Sequence, residues 1–577
     1  MAATESTPRR FDADLEPRAR RVGFEPTESR PGWDRATVAE RALSVAGLTL
    51  LAAFAIAIDL HYGRRGFLPI DQATVFDGGW RTLSGQVPFR EYTTPNAIVP
   101  SLLQGLWFWA LGVTWTTYLL HAAVFNALFA LTVYTLLRLC DGNRTLSLFY
   151  AALSAVVFYP PIGVPFHDQH SFFFTLLAIT LAVAATRAVT ASAARAFWVA
   201  IPFALTAAAL SKQTPVLLGT PVVLALAFAG RERITRVASW LGAGAVGAIG
   251  LVLSAAVLAG VDWGLVRTYF LELPLETGGS RAGRAAGTSL SLVALAAFFA
   301  LIVVGPSAIL QREGRRRFSL ARDARLPLFL SVAFLLLCAA FTALTLNEPA
   351  EGVPLFFVSF GLFHLAIGRA LRQHTISVAL RLPVLVASTI VVLSLVAAWT
   401  FNDAVNARRG TLTLDYDAAT VETGGPAGLS FMKFQPSSAY LGLRASDLKR
   451  LVDHLRARDG SFVLFGDTTV INGLSGKPSV FPALFVTRGL TYPRLGDPEL
   501  REFEARLVAR MIESDVRRVV LENRTSAFAE QFGAPTDLPA LQGILRRCGK
   551  ATREFGFFSV VEISPRRECP WTLSSPD

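Results

Sequence analysis

Charged side chains are concentrated in residues 61 to 98, a polar and aromatic stretch between strongly apolar segments. It carries Asp71, Asp77, Arg81, Arg90 and Glu91. Ionisable groups beside a bilayer are costly to desolvate, so a cluster of them is a candidate functional site. A carboxylate there can act as a general base, and an arginine can bind a phosphate through two parallel N–H donors. We therefore expect the chemistry of this chain to lie in this loop.

Composition predicts the class of protein. The chain has 577 residues, of which 52% are hydrophobic and 17% are charged, and its mean hydropathy is +0.44. These values indicate a polytopic membrane protein. The formal charge of +12 comes from arginines in short clusters between apolar runs, where they orient the chain in the bilayer, so nucleic-acid binding is disfavoured.

The apolar segments have the length that a helix needs to cross the hydrocarbon core. Residues 1 to 38 are predicted to be a disordered cytoplasmic tail, residues 39 to 401 the membrane domain, and residues 402 to 577 a soluble domain outside the cytoplasm. About eleven spans are predicted within the membrane domain, at 40–60, 117–139, 145–160, 171–187, 194–211, 214–230, 237–260, 287–310, 326–346, 353–370 and 382–401.

Whether residues 99 to 113 cross the membrane determines on which side every later loop lies. The arginine clusters at 231–236, 312–325 and 369–381 share one side, which the positive-inside rule assigns to the cytoplasm. The basic N-terminal tail shares that side only if residues 99 to 113 do not cross the membrane. Their shortness and the pair Trp107 and Trp109 favour a helix that lies at the interface. The alternative is a short span with an extracytoplasmic N-terminus.

Asp71 follows Leu68, Pro69 and Ile70 and begins a segment that we expect to form one or two helical turns ended by glycines. An Asp at the start of a helix is commonly an N-cap, a role that does not exclude catalysis.

The pattern around Asp71 resembles the first outer loop of the GT-C superfamily of membrane glycosyltransferases. The resemblance rests on Pro69-Ile70-Asp71, on GQVPFRE from Gly85 to Glu91, on Tyr92 and Pro95, and on the apolar helix that follows. This superfamily includes protein O-mannosyltransferases and lipid A aminoarabinose transferases, which use polyprenyl-phosphate-linked sugars. The resemblance implies a GT-C-like membrane domain in which Asp71 is the general base that takes a proton from the acceptor hydroxyl.

A phosphate leaving group requires cations. Arg90, Lys212 and Arg267 are the candidates to bind the donor phosphate, with Arg281 as a further outer-side cation. Lys212, in LSKQTP at the end of an Ala-rich span, resembles the lysine that many GT-C enzymes carry at this place. The alternative for Lys212 is a side chain that extends to the interface from a helix end.

The sequence HDQH begins the next span on the outer side. If it is helical, His167 and His170 share a face, and a divalent metal, Mg or Mn, could bridge Asp71, Asp168 and the donor phosphate. The alternative is a group of N-terminal capping residues. Asp168, Glu91 and Glu348 are the candidates for acceptor binding or for a second acid. The default interpretation of the outer-side acids is solvation, and these acids are Asp77, Glu91, Glu272, Glu276, Glu348 and Glu351.

After Phe401 the composition becomes that of a soluble domain. Helices are predicted at 445–459, 498–514 and 537–548, and strands at 462–466, 517–522 and 557–563, which indicates a small α/β domain. Because no Gly-rich phosphate motif follows these strands, a nucleotide-sugar donor is disfavoured. Cys548 and Cys569 can pair if this domain lies in an oxidising compartment.

We therefore expect a multi-pass enzyme of the cell membrane. It would be a hexosyl- or pentosyltransferase that moves a sugar from a polyprenyl-phosphate carrier to a lipid or glycan acceptor outside the cytoplasm. The alternatives are a transporter or flippase of lipid-linked saccharides and a membrane-anchored receptor or assembly factor. A transporter predicts repeats and ionisable groups at mid-membrane depth, whereas the polar groups of this chain are predicted at one membrane boundary.

Overall fold

A computed structural model describes residues 38–276 apart from 65, 66, 68 and 231, then 293–300, 322–345, 354–373, short pieces between 422 and 434, and 442–571 apart from 524–533, 566 and 570. The predicted tail, the predicted span 382–401, Arg281, Glu348 and Glu351 lie outside the described residues.

The membrane domain is built from long apolar helices joined by short connections. Its first nine helices are α1 (Val38–Gly63), α2 (Pro69–Leu83), α3 (Ile98–Leu111), α4 (Trp115–Leu139), α5 (Arg144–Phe158), α6 (His167–Arg187), α7 (Ala191–Ser211), α8 (Gln213–Ala229) and α9 (Ile234–Ala259). A short π-helix, Val266–Glu272, and two helices at Arg322–Thr345 and Phe356–Gln373 follow.

Six helices in the described residues are long and apolar enough to cross a membrane, and they are α1, α4, α6, α7, α9 and the helix at Arg322–Thr345. The chain is therefore an α-helical membrane protein, as its composition predicts. The predicted spans at 145–160 and 214–230 correspond to α5 and α8, which are shorter apolar helices of 15 and 17 residues.

The helix ends form two groups of contacts. At one end, Arg187 forms an ion pair of 2.9 Å with Asp141, and Arg369 donates a hydrogen bond to the carbonyl of Cys140. At the other end, the indole of Trp115 donates to the carbonyl of Gly63. The loop between α2 and α3 lies at this second end, because the backbone N–H of Ala97 donates to the carbonyl of Ser211.

Helix α2 continues through Gly78 and Gly79 to Leu83, so the prediction of one or two turns ended by glycines is wrong. The reason is close packing against α3. A Cβ on Gly79 would lie 2.5 Å from Cγ of Gln104, and a Cβ on Gly105 would lie 2.6 Å from Cγ2 of Thr82. The glycines therefore allow the two helices to approach instead of ending α2.

Helix α3 has 14 residues and is about 21 Å long, which is shorter than the roughly 30 Å of a hydrocarbon core. It buries Ser101, Gln104 and Phe108 and exposes Leu106 and Trp109. An exposed tryptophan on an apolar helix face is typical of a membrane interface.

Residues 442–571, called the C-terminal domain below, contain a four-stranded mixed sheet. Its strands are β3 (Ser461–Phe465), β4 (Val516–Glu522), β5 (Gly549–Phe555) and β6 (Phe558–Ile563), in the order β3-β4-β6-β5, and only the pair β3-β4 is parallel. A separate two-stranded ladder, β1 (Glu422–Thr423) and β2 (Lys433–Phe434), precedes it. The helices of the domain are Ala445–Arg456, Val470–Ser475, Leu500–Glu513 and Pro539–Cys548, and a disulfide joins Cys548 to Cys569.

Candidate active site

A buried ion pair lies where three membrane helices meet. Helix α6 begins at His167, and Lys212 stands between the end of α7 and the start of α8. Nζ of Lys212 is 2.6 Å from Oδ1 of Asp168, and Asp168 is fully buried while Lys212 is 14% exposed. Since a buried charge is costly unless it is paired, each of these groups compensates the charge of the other.

Neighbouring hydrogen bonds hold the backbone around Lys212. Ser171 Oγ donates to the carbonyl of Lys212 at 2.7 Å. Gln213 Nε2 donates to the carbonyls of Pro95 and Phe270 at 2.9 and 3.0 Å. These bonds join the start of α8 to the first loop and to the π-helix, so the ion pair lies on a backbone that is fixed from several sides.

Asp71 lies in the first turn of α2 and is half-buried. The next residue, Gln72, donates a 2.7 Å hydrogen bond from its amide to the carbonyl of Ile162. Ile162 belongs to the loop that leads directly into α6 and Asp168. The first turn of α2 therefore lies at the same end of the helix bundle as the Asp168–Lys212 pair.

His167 and His170 contact different groups. His167 Nε2 lies 3.3 Å from Oδ1 of Asp168. His170 instead contacts the hydroxyl of Tyr159 at 2.7 Å through Nδ1, and Nε2 of His121 at 3.0 Å through its own Nε2. Within the residues that the structure describes, no group of three or more His, Cys, Asp or Glu side chains is arranged to hold a metal ion. Asp168 is paired with Lys212, and His170 contacts Tyr159 and His121, so the predicted metal set stays a prediction.

The predicted arginines lie beside other acids. Arg90 Nε is 2.5 Å from Glu91, and its guanidinium also donates to the carbonyl of Ala259. Arg267, on the π-helix, pairs with Glu272 at 2.7 Å and is 77% exposed. The structure therefore groups Lys212 with Asp168, and it places Arg90, Glu91 and Arg267 in exposed pairs of their own.

The sequence-based interpretation of Asp77 as a solvated acid is wrong. Asp77 is completely buried and forms a 2.7 Å ion pair with Arg81, which is 1% exposed. Arg81 also lies over the ring of Tyr92, with its Cζ 4.7 Å from the ring centroid, and burial raises the pKa of the Tyr92 hydroxyl. The i,i+4 spacing of an acid and a base on α2 was the signal in the sequence that could have identified this pair.

A second buried network was missed from the sequence. Gln104 Oε1 lies 2.9 Å from Nδ1 of His121, whose Nε2 contacts His170. The ring of Trp107 stacks on His121 at 6.0 Å. Through these contacts α3 is joined to α4 and to the first turns of α6. His121 lies in an apolar span, and its local sequence gives no indication of its partners.

The chain was compared with known proteins. No family model and no curated protein matches it. Among solved structures it is similar to ArnT from Cupriavidus metallidurans bound to undecaprenyl phosphate, at 13% identity and a TM-score of 0.44 over 91% of this chain and 98% of that chain. It is also similar to the oligosaccharyltransferase of Archaeoglobus fulgidus in complex with Zn and sulfate, at 12% identity and a TM-score of 0.39 over 91% and 74% of the two chains.

AglB from the same archaeon, in complex with an inhibitory peptide and a dolichol-phosphate, is similar at 11% identity and a TM-score of 0.40 over 91% and 75% of the two chains. These proteins belong to the GT-C superfamily, which is the superfamily that the first outer loop resembles. Identities and TM-scores of this size assign no substrate or reaction to the present chain.

Proposed function

We propose that this protein is a membrane glycosyltransferase that moves a sugar from a polyprenyl-phosphate carrier to an acceptor hydroxyl on the outer face of the cell membrane. The observation that carries the proposal is the buried Asp168–Lys212 ion pair, at the same end of the helix bundle as the first turn of α2. A carboxylate for the acceptor and a cation for the leaving group are the two charges that this transfer requires.

In the proposed reaction the acceptor oxygen attacks the anomeric carbon of the donor sugar and forms the new glycosidic bond. The bond between that carbon and the phosphate oxygen breaks, and its electron pair leaves with the polyprenyl phosphate. Asp71 takes the proton of the attacking hydroxyl. The step is therefore balanced in protons and in charge, and it needs no further reactant.

The donor phosphate is proposed to bind at Lys212. Its ammonium is an effective point charge for a phosphate, and it is already partly withdrawn from water. Helix α8 begins directly after Lys212, and the N-terminal end of a helix favours an anion. Asp168 then directs the ammonium into the site, and it is the candidate for acceptor binding. Arg90 and Arg267 are proposed as further contacts of the donor phosphate and Glu91 as a contact of the acceptor, all on the exposed side of the site.

Orientation in the membrane belongs to the same proposal. The N-terminus and the arginine clusters are assigned to the cytoplasm, and the C-terminal domain and the first loop to the outside, where a lipid or glycan acceptor is available. The lipid chain of the carrier lies in the bilayer, next to the helices that bear the site.

The experiment uses purified protein in lipid nanodiscs with a polyprenyl-phosphate sugar and its acceptor. Asp71→Asn is expected to reduce transfer between about a hundredfold and ten-thousandfold, because a positioned general base contributes that much. Glu276→Gln, which changes an exposed outer-side acid, is the matched control and should leave transfer unchanged. If Asp71→Asn transfers as fast as the parent protein, the assignment of the base is wrong; if the parent never transfers, the enzyme class is wrong.

A further inference from the structure

Helix α2, which carries Asp71 in its first turn, contacts the C-terminal domain along one face. Ala73, Asp77 and Arg81 are spaced four residues apart, so they form a stripe on that face. Thr469 Oγ1 donates to the carbonyl of Ala73 at 3.3 Å. The indole of Trp80, beside the stripe, donates to the carbonyl of Lys477 at 2.9 Å.

The centre of this contact is the buried pair Asp77–Arg81. Asp77 Oδ1 accepts hydrogen bonds from Asn472 Nδ2 at 2.9 Å and from Ser479 Oγ at 2.6 Å. Arg81 donates to the carbonyls of Phe481 and Ala483 at 3.1 and 3.2 Å. Apart from a 3.3 Å hydrogen bond from Arg81 to Gln86, these contacts of the pair come from residues about four hundred positions later in the chain. A buried ion pair is tolerated when such bonds satisfy it.

Backbone and apolar contacts continue the attachment. Thr93 in the first loop donates to the carbonyl of Pro482 and accepts from the N–H of Leu484, both at 3.0 Å. Phe76 of α2 shares one hydrophobic core with Leu474 of the C-terminal domain. A domain that moves as a lid is expected to have a hydrated and weakly packed contact, and this contact is buried and satisfied.

Resting on the proposed function, we infer that the C-terminal domain is a fixed support for α2, and that Asn472 and Ser479 are positioning residues for the Asp71 carboxylate. They hold Asp77, which is six residues further along the same helix, and so they set the position of the first turn relative to the Asp168–Lys212 pair. A displacement of about 1 Å in a reacting group can cost a hundredfold in rate.

The first test is kinetic. The double variant Asn472→Ala/Ser479→Ala should lower kcat between about tenfold and a hundredfold while the KM for the donor changes by less than about twofold. A purely structural role would instead lower the folded fraction at an unchanged kcat per folded molecule. In the double variant, Ser479→Thr in place of Ser479→Ala keeps the hydroxyl, so it should restore part of the lost kcat. Ser559→Ala removes a half-buried hydroxyl that donates to Asn523 and Glu554 of the same domain, and it is the matched control. A double variant with the kcat of the parent overturns the positioning role.

The second test does not depend on activity. With a protease site inserted at residue 437, the cleaved C-terminal fragment should remain bound to the membrane fragment during size-exclusion chromatography in detergent. Asp77→Asn should release it, since this change leaves the guanidinium of Arg81 buried without its counter-ion. Release from the parent sequence overturns the fixed attachment. If the fragment behaves as expected while Asp71→Asn remains fully active, the assignment of Asp71 as the base has failed and the attachment stands; if the parent never transfers, the proposed function has failed and the attachment still stands.

Discussion

The ion pair between Lys212 and Asp168 gives the sharpest quantitative prediction. Lys212→Met removes the ammonium that we assign to the donor phosphate and keeps a side chain of similar length. At a separation of about 4 Å and an effective dielectric constant of about 20, a pair of unit charges interacts by about 4 kcal/mol. This energy corresponds to about a thousandfold in affinity, and water entering the site reduces it. We expect donor affinity to fall between about a hundredfold and a thousandfold.

The same substitution affects stability, so the two effects must be separated. Asp168 is fully buried, and removing its partner leaves an uncompensated charge at a cost of about 3–5 kcal/mol. Adding Asp168→Asn removes that charge. The double variant is therefore expected to recover thermal stability toward that of the parent, while transfer remains low because the phosphate still lacks its cation.

The assay is transfer from a polyprenyl-phosphate sugar at varied donor concentration, with a thermal melt of each variant under the same conditions. Lys212→Arg retains the charge and should retain much more transfer than Lys212→Met. Transfer by the Lys212→Met/Asp168→Asn protein within about threefold of the parent would refute the role of Lys212. Loss of stability without any loss of transfer per folded molecule would show that the pair serves the fold alone.

Three further predictions concern packing, the disulfide and pH. Gly79→Ala should destabilise the membrane domain by about 1–3 kcal/mol, because its Cβ would lie 2.5 Å from an atom of α3. Gly242→Ala, with open space around it, is the control. Equal melting temperatures of the two variants would refute the close packing. Cys548→Ala should destabilise the C-terminal domain by roughly 3 kcal/mol, because the bridge to Cys569, 21 residues away, restricts the unfolded chain. A melting temperature equal to that of the parent protein, with and without reductant, would contradict this prediction. Burial raises the pKa of the Glu504 carboxyl above its ordinary value of 4.5, so the folded domain keeps a proton that the unfolded chain has lost. The free energy of unfolding should therefore fall as the pH rises from 4.5 through the raised pKa. Glu504→Gln should remove this pH dependence in urea titrations. An identical pH profile for the parent and the variant would refute the assignment to Glu504.

The apolar spans and the C-terminal elements could be predicted because their signals are local. A helix in lipid satisfies its backbone within its own segment, so the length of an apolar run is enough to locate it. In the C-terminal domain the predicted strand 517–522 is β4 within one residue, since its apolar run is buried in the sheet. Strand β5 was missed because Gly549–Phe555 is mostly exposed at the edge of the sheet and lacks an apolar pattern.

Part of the candidate site could be predicted because its charged residues also give a local signal in the sequence. Lys212 and Asp168 stand out as charged residues at the ends of apolar segments, where desolvation makes them conspicuous. The spacing of His167 and His170 correctly indicates one helix, but the partners of the two rings are Asp168 and Tyr159. Helical spacing fixes which residues are neighbours along the chain, whereas the groups that they contact belong to other helices.

The sequence alone determines that this is a helical membrane protein with a polar first loop, because hydrocarbon accepts neither charge nor unpaired backbone. The tertiary structure decided that α2 runs through its glycines and that Asp77 is buried rather than solvated. Both depend on atoms distant in sequence: Gln104 packs on Gly79, and Asn472 and Ser479 satisfy Asp77 across separations of 395 and 402 residues. No local pattern of residues encodes such contacts, because the free energy that makes burial favourable arises only when the distant groups are brought together.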